Sequence, residues 1–456
     1  MVPTRNRRDA QLAGNGGMTM DASLTSANSA PPLAELFRVF GRIGVLSFGG
    51  PAGQIALMHR VLVDERKWID EPRFLHALNF CMLLPGPEAM QLATYSGWLL
   101  RGLTGGLIAG LLFVLPGAAV MIALSALYME FGDVPAVAGL LFGLKAAVLA
   151  VVLEALIRIS RRALKTGRAI VIAVAAFAAI AFAKLPFPLI ILLAAIAGVV
   201  MLSAPAAAEN DPAVGSDRRP TFARFLATTA SWLFIWLTPL AALTYALGAE
   251  HVFAAEARFF SVMATVTFGG AYAVLAYVAQ QAVETYGWLR PDEMLTGLGL
   301  AETTPGPLIL VLVFVGFLAG AREAGLDPLT GGLAGALVTL WFTFIPCFLW
   351  IFAGAPYIET VRNVRWLSSA LAGVTAAVVG VIANLALWFG LHVLFATVGE
   401  ARLGPLALPV PDPVTFNSAA AVIAVAAAFA LLRFHVNLIA VLGFAALAGV
   451  TYILWL

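Results

Sequence analysis

The chain has 456 residues, 61% of them hydrophobic and 11% charged, where a soluble domain carries about 25% charged residues. That balance excludes a soluble protein and calls for a polytopic membrane protein, and a net charge of +2 is too small to indicate a nucleic-acid partner. Cys81 and Cys347 stand far apart in apolar runs, so neither a disulfide framework nor a CxxC site is expected, and the five histidines form no HExxH motif. No GxxxxGK[ST] phosphate loop is present, so ATP hydrolysis and cofactor chemistry are not expected.

Taken in order, residues 1–32 are polar and read as a disordered cytoplasmic tail, with Arg5, Arg7 and Arg8 but no signal-peptide core. The chain turns apolar from Leu33 to Gly50, with Glu35, Arg38 and Arg42 on one helical face. Either an interfacial helix that snorkels its arginines or a pathway-facing Arg38 accounts for that stripe. A charged stretch from His59 to Arg73 leads into a second span that contains Pro85-Gly86-Pro87. Further spans are predicted at about 104–129, 136–157, 169–184, 187–203 and 225–247, with a linker over 204–224. The last two spans occupy about 416–433 and 435–456.

The chain repeats itself. Ser47-Phe48-Gly49-Gly50, Trp68 and Pro85-Gly86-Pro87 recur as Thr267-Phe268-Gly269-Gly270, Trp288 and Pro305-Gly306-Pro307, always 220 positions on, while Glu88 corresponds to Leu308. Beyond the anchors the spacing becomes 230, which matches Pro116 with Pro346. The predicted organisation is therefore a first repeat at 33–203, an extra helix at 225–248 and a second repeat at 252–456. With six spans per half and one between them, thirteen in all, equivalent elements lie seven crossings apart and the halves are inverted. A cytoplasmic amino terminus puts Arg158, Arg161, Arg162, Lys165 and Arg168 inside, as well as Arg218, Arg219, Arg224, Arg362 and Arg365. It leaves Arg60, Arg66, Lys67 and Arg73 outside, against the same rule.

Paired glycines and Pro-Gly-Pro both interrupt helical backbone. Inside a bilayer such breaks face protein or a wet cavity, so they are either kinks that serve packing or the walls of a polar site. A broken helix offers free amides and a positive dipole end to an anion. Ser47, Gln54, Gln91, Thr267, Thr303 and Thr304 add neutral hydrogen-bonding groups beside the breaks. Ionisable candidates for charge or coupling are Arg38, Arg42, Glu88, Lys145, Glu154, Arg258 and Glu302, with Glu154 expected to pair locally.

The doubled Phe-Gly-Gly and Pro-Gly-Pro anchors, with Glu88-Ala-Met-Gln91-Leu-Ala-Thr-Tyr-Ser-Gly-Trp98 after the first, resemble the long-chain chromate ion transporters over about 33–456. The resemblance implies an all-α protein of the bacterial inner membrane that exports chromate and confers chromate resistance. The matched positions are Phe48, Gly49, Gly50, Pro51, Pro85, Gly86, Pro87, Gln91, Phe268, Gly269, Gly270, Pro305, Gly306 and Pro307; Ala271 replaces the proline found at Pro51. Partners on this reading are the oxyanion, chromate or its analogue sulfate, and membrane lipid; a homodimer stays open.

Overall fold

A computed structural model describes residues 30–202, 221–268, 271–357, 365–404 and 406–455. The expectations for the amino-terminal tail, most of the 204–224 linker, Gly269, Gly270 and Arg362 fall outside these residues. The described chain is mostly helical: α1 (Leu33–Leu46), α2 (Gly50–His59), α3 (Glu71–Cys81), α4 (Glu88–Phe131), α5 (Pro135–Ala163), α6 (Gly167–Ala181), α7 (Phe187–Met201) and α8 (Phe222–Leu247) precede α9 (Val252–Val266), α10 (Ala271–Ala279), α11 (Pro291–Thr303), α12 (Val311–Glu323) and α13 (Pro328–Gly354). After these come α14 (Arg365–Leu394), α15 (Ser418–Phe434) and α16 (Leu438–Trp455).

Among the described residues, six helices are long and apolar enough to cross a membrane, those of α4, α5, α8, α13, α14 and α16. Three shorter apolar helices are α6, α7 and α15. Large apolar side chains on their outer faces, such as Val174, Leu192, Phe429 and Phe444, are exposed as a lipid-facing surface would require. The chain is a multi-pass membrane protein. Inside, helices approach through glycine: a side chain at Gly143 of α5 would strike the Ala445 carbonyl of α16, and one at Gly380 of α14 the Ala173 carbonyl of α6.

The first two expected spans of each repeat are corrected. Leu33–Leu46 has 14 residues, about 21 Å of helix against a hydrocarbon core of about 30 Å. At Gly49 and Gly50, with φ of 85° and 70°, the backbone takes left-handed turns that glycine alone adopts freely. The chain then doubles back. Its return brings Arg66 to Glu35 at 2.7 Å, beside the start of α1. Pro85-Gly86-Pro87 is a second tip, across which Phe80 meets Tyr95. Arg101 then donates to the carbonyls of Pro31 and Ala30, each at 2.7 Å. Both segments are hairpins that enter and leave at one end of the bundle, here the near end. Only after a kink at Arg101 and Gly102 does the rest of α4 run onward.

The second repeat is built alike. Phe259 of α9 packs on Tyr277, Tyr286 and Trp288, so α10 folds back on α9. A side chain at Gly297 of α11 would meet the Phe314 ring of α12. The returning arms even share a defect, a π-helix at Arg60–Glu65 and another at Gln280–Thr285, 220 positions apart.

The hairpins of the second repeat close at the opposite, far end, where Arg322 grips Glu293 at 2.6 Å and Lys184 reaches Glu284 at 3.4 Å. Between the repeats, α4 and α13 cross antiparallel: Gly106 lies against Phe352 and Gly110 against Phe348.

One short element departs from the all-α expectation. Strands Val398–Leu403 and Leu406–Pro411 pair antiparallel. Gly404, with φ 62°, lies between them, and Pro409 and Pro411 bar a helix there.

Candidate functional site at the hairpin tips

The four breaks meet in the middle of the bundle, and they bind one another across the repeats. The Gly306 amide donates to the Ser47 carbonyl at 2.8 Å, and the Gly86 amide donates to the Thr267 carbonyl at 2.7 Å. Gly86 and Gly306 are 220 positions apart, as are Ser47 and Thr267, so the two bonds are one interaction made twice. The residue before each Phe-Gly-Gly motif, Ser47 or Thr267, thus holds the Pro-Gly-Pro tip of the other repeat.

The sequence makes these contacts by leaving out side chains and amide hydrogens. Proline on both sides of Gly86 and Gly306 removes competing donors, so the single amide between them is free to reach across. Gly86 (φ 123°) and Gly306 (φ 90°) hold backbone angles that other residues resist. A methyl group on Gly86 would come within 3.0 Å of Cys347 Sγ, and one on Gly306 within 3.4 Å of the Phe113 carbonyl. Gly117 of α4 completes the second junction: a side chain there would run into the Pro305 carbonyl.

Side chains around the junctions are buried and mostly turned homeward. Ser47 Oγ donates to Ile43 O at 2.6 Å and Thr267 Oγ1 to Met263 O at 2.5 Å, again a matched pair. Thr303 and Thr304 both donate to Leu300 O. In this conformation those hydroxyl protons are committed to their own helices rather than offered to an anion. Gln54 Nε2 donates to Gly306 O at 2.5 Å and Gln91 Nε2 to Pro85 O at 2.7 Å, while the Oε1 atoms of both are buried without a partner. The remaining donors are backbone amides. Helices α2, α4 and the 3-10 turn Leu308–Leu310 that leads into α12 all begin at these tips, and none has a side-chain cap. Nothing lies within 4 Å of a side chain placed on Gly49 or Gly50, so the first tip borders open space.

Of the predicted site residues, the structure brings together Ser47, Gln54, Pro305, Gly306 and Pro307 at one junction. Pro85, Gly86, Pro87, Gln91 and Thr267 form the other. Phe48 and Phe268 are half-buried beside them. Thr304 lies buried at the end of α11, and Glu88 opens α4 half-buried at its positive end.

The other charges stand apart. Arg38, Arg42 and Arg258 are exposed, with Arg258 donating to the Ala249 carbonyl at 2.6 Å. Lys145 lies 4.0 Å from Asp292 at the base of a far-end hairpin. Glu154 takes Arg158 at 3.2 Å, the local pairing expected of it. Glu302 is 5% exposed and accepts from the Tyr272 hydroxyl at 2.7 Å. Sequence reasoning did not single out Tyr272, Glu256 or Glu293. Tyr272 and Glu256 are polar groups within an apolar context, the signal that did select Glu302, whereas Glu293 follows Arg290 and Asp292 and carries no such signal.

Comparison with known proteins agrees with this frame. The model of the family described as "Chromate transporter" matches residues 34–199 and again 255–450. The chain is 32% identical over 363 residues to the chromate transport protein of Pseudomonas aeruginosa, covering 77% of this chain and 80% of that protein. It is 28% identical over 373 residues to a probable chromate transport protein of Synechococcus elongatus, covering 81% and 87%. It is 27% identical over 367 residues to the chromate transport protein of Cupriavidus metallidurans, covering 78% and 83%. No solved structure matches the chain. With both repeats matched and a relative above 30% identity over most of its length, the chain belongs to the chromate transporter family.

Proposed function

We propose that this chain exports chromate across the bacterial inner membrane by alternating access, with the four hairpin tips as the oxyanion site. The observation that carries the reading is the doubled tip-to-tip hydrogen bond, Gly306 to Ser47 and Gly86 to Thr267. It joins the tips through two matched backbone bonds, and it has the form of a gate made of two like leaves. Uncapped helix starts beside the tips supply amides to a tetrahedral dianion, and the same chemistry suits sulfate. Sulfate or another oxyanion is therefore the second reading.

The topology we propose has nine full crossings and four re-entrant hairpins in place of thirteen spans. Each repeat supplies two hairpins and four crossings, and α8 passes between them. Equivalent elements are then five crossings apart, an odd number, so the halves are inverted; the antiparallel crossing of α4 and α13 supports this. A cytoplasmic amino terminus now places Arg60, Arg66, Lys67 and Arg73 inside with the other basic clusters. The conflict with the positive-inside rule disappears, and the support for it is the Arg66 to Glu35 contact.

Export needs no nucleotide. An inside-negative potential favours exit of a dianion by about 4.6 kcal/mol per 100 mV, a gradient of about three orders of magnitude. The test is chromate uptake into inside-out vesicles under an interior-positive potential, with and without excess sulfate. Saturable uptake inhibited by sulfate is expected; uptake of sulfate alone would remove chromate as the substrate and leave the second reading.

A further inference from the structure

The second repeat contains a buried polar cluster away from the tips. Glu256, one turn into α9, is 0% exposed, and neither carboxylate oxygen has a hydrogen-bond partner. Its Oε1 faces the bare backbone of Gly335 on α13, where an added methyl would come within 3.1 Å of it. Thr339 and Thr343 follow Gly335 at four-residue steps on the same face of α13. Their hydroxyls are also buried and unpartnered, and Thr339 Oγ1 points at the bare Gly316 of α12. A carboxyl group and a hydroxyl thus flank the close contact of Gly335 with Gly316, and a second buried hydroxyl follows one turn along α13.

The first repeat is an internal control for what packing requires. At the offset of 220, Glu256 corresponds to Leu36; at 230, Thr339 corresponds to Ala109 and Thr343 to Phe113. All three counterparts are apolar and 0% exposed. The same helix arrangement therefore assembles without any polar group at these places, and packing gives no reason for the carboxyl. An intramembrane ionisable group that the fold does not need is a candidate for function.

We propose that Glu256 is the proton-binding residue of the transport cycle, carrying one proton inward for each dianion that leaves. The carboxylate takes a proton from water when its space opens to the outer end and gives it up to water when it opens to the inner end; in the present conformation it is sealed. Thr339, one turn from Gly335, is the hydroxyl placed to meet the carboxyl when its space opens, since a hydroxyl donates to a carboxylate and accepts from a carboxyl. The charged groups on the surrounding elements do not neutralise it. On α9, Arg258 is exposed and bound to Ala249 O, and His251 caps the helix start. On α12, Arg322 is taken by Glu293, and Glu323 is the neighbour whose charge reaches Glu256, with the same sign. Asp327 caps the first turn of α13, and on α8 Arg224 lies at the opposite end from the Trp236 contact with α9.

The inference rests on the transport reading, so its test has a readout that does not. Purified full-length protein in liposomes is compared with E256Q, with E256L, which copies Leu36, and with T339A, which copies Ala109. In infrared difference spectra between acidic and alkaline buffer, the wild type is expected to show a carboxylic-acid carbonyl band that E256Q and E256L lack. In transport, each unit of imposed pH gradient at zero potential should change wild-type chromate accumulation about tenfold for one proton exchanged. E256Q and E256L should give a flat response yet retain potential-driven accumulation and chromate self-exchange, and T339A should shift the pH midpoint. A wild-type pH response in E256Q, an unchanged band, or a sodium dependence replacing the proton dependence would overturn the proposal. Loss of self-exchange in both Glu256 variants would also overturn it, by making the carboxyl structural. Loss of the band in E256Q from a protein that moves no chromate would uphold the proton site and refute the proposed substrate.

Discussion

Adding one methyl group at the tips separates a working gate from a packing kink. Gly41, Gly49, Gly306 and Gly86 form a graded series. Gly41 lies in α1 with nothing within 4 Å of an added Cβ; alanine there gains up to about 1 kcal/mol of helix propensity. Gly49 has equal room but φ of 85°, so alanine costs about 1–2 kcal/mol in backbone strain alone. At Gly306 the same strain is joined by Leu310 Cδ1 at 3.0 Å. Gly86, at φ 123°, lies outside the left-handed helical well and takes about 1–3 kcal/mol of strain, with Gln91 Nε2 at 2.8 Å and Cys347 Sγ at 3.0 Å besides. Because the Gly86 and Gly306 amides make the cross-repeat bonds, strain at those two falls on the closed tips and shifts the proposed gate's equilibrium by about tenfold per 1.4 kcal/mol. The assay is chromate transport normalised to protein in the membrane. The expected order of loss is Gly86→Ala, then Gly306→Ala, then Gly49→Ala, with Gly41→Ala unaffected. Tip variants that transport as well as Gly41→Ala would refute the tip-to-tip gate.

Cysteines introduced at positions 66, 103 and 286 test the topology. Positions 66 and 103 should label from the cytoplasmic side and 286 from the other; label at 66 and 103 from opposite sides would restore a continuous span and remove the hairpin. At the far end, Glu293 is 1% exposed and takes two short bonds from Arg322, at 2.6 and 2.9 Å. Arg322→Met removes both and leaves the buried carboxylate to the exposed Arg290, whose guanidinium lies at 3.1 Å and whose amide donates at 2.9 Å, a loss of about 1.5–3 kcal/mol. Lys184→Met, which breaks a half-exposed pair, should cost at most about 1 kcal/mol. Thermal unfolding in detergent distinguishes the two, and equal shifts would contradict the assignment.

The repeat was legible because it is written in residues with few uses. Gly-Gly and Pro-Gly-Pro at a fixed spacing announce backbone breaks, and the breaks are where the chain turns. Direction was not legible. An apolar helix of 14 residues that stops halfway and one that continues past a kink have the same composition, and a hydropathy pattern does not register a reversal. The information lay in a charge, since four basic residues between the first two expected spans, Arg60, Arg66, Lys67 and Arg73, disagreed with a thirteen-span count. The hydroxyl groups beside the tips illustrate a second limit. Ser47 and Thr267 stand at the proposed site by position, yet their protons go to the carbonyls four residues back, a choice open to any serine or threonine in a helix.

A doubled frame also shows where function departs from architecture. The cross-repeat bonds use backbone atoms and obey the repeat, as a gate that must close equally on both sides requires. Side-chain chemistry does not obey it. Gln54 and Gln91, buried at the tips, face Val274 and Val311 at the matching positions. The hydrogen-bonded Tyr272 and Glu302 replace Ala52 and Met82, and Glu256 replaces Leu36. At these matched positions the neutral amide side chains fall in the first repeat, and the buried carboxyl groups Glu256 and Glu302 in the second. An ionised Glu88 or Glu302 beside the tips would repel a dianion, whereas Glu256, set back in the second repeat, can change its protonation while the anion is held elsewhere. On that division, exchanging Gln54 and Val274 should disturb substrate affinity and leave the pH response intact, because the two tasks lie in different halves of one symmetric scaffold.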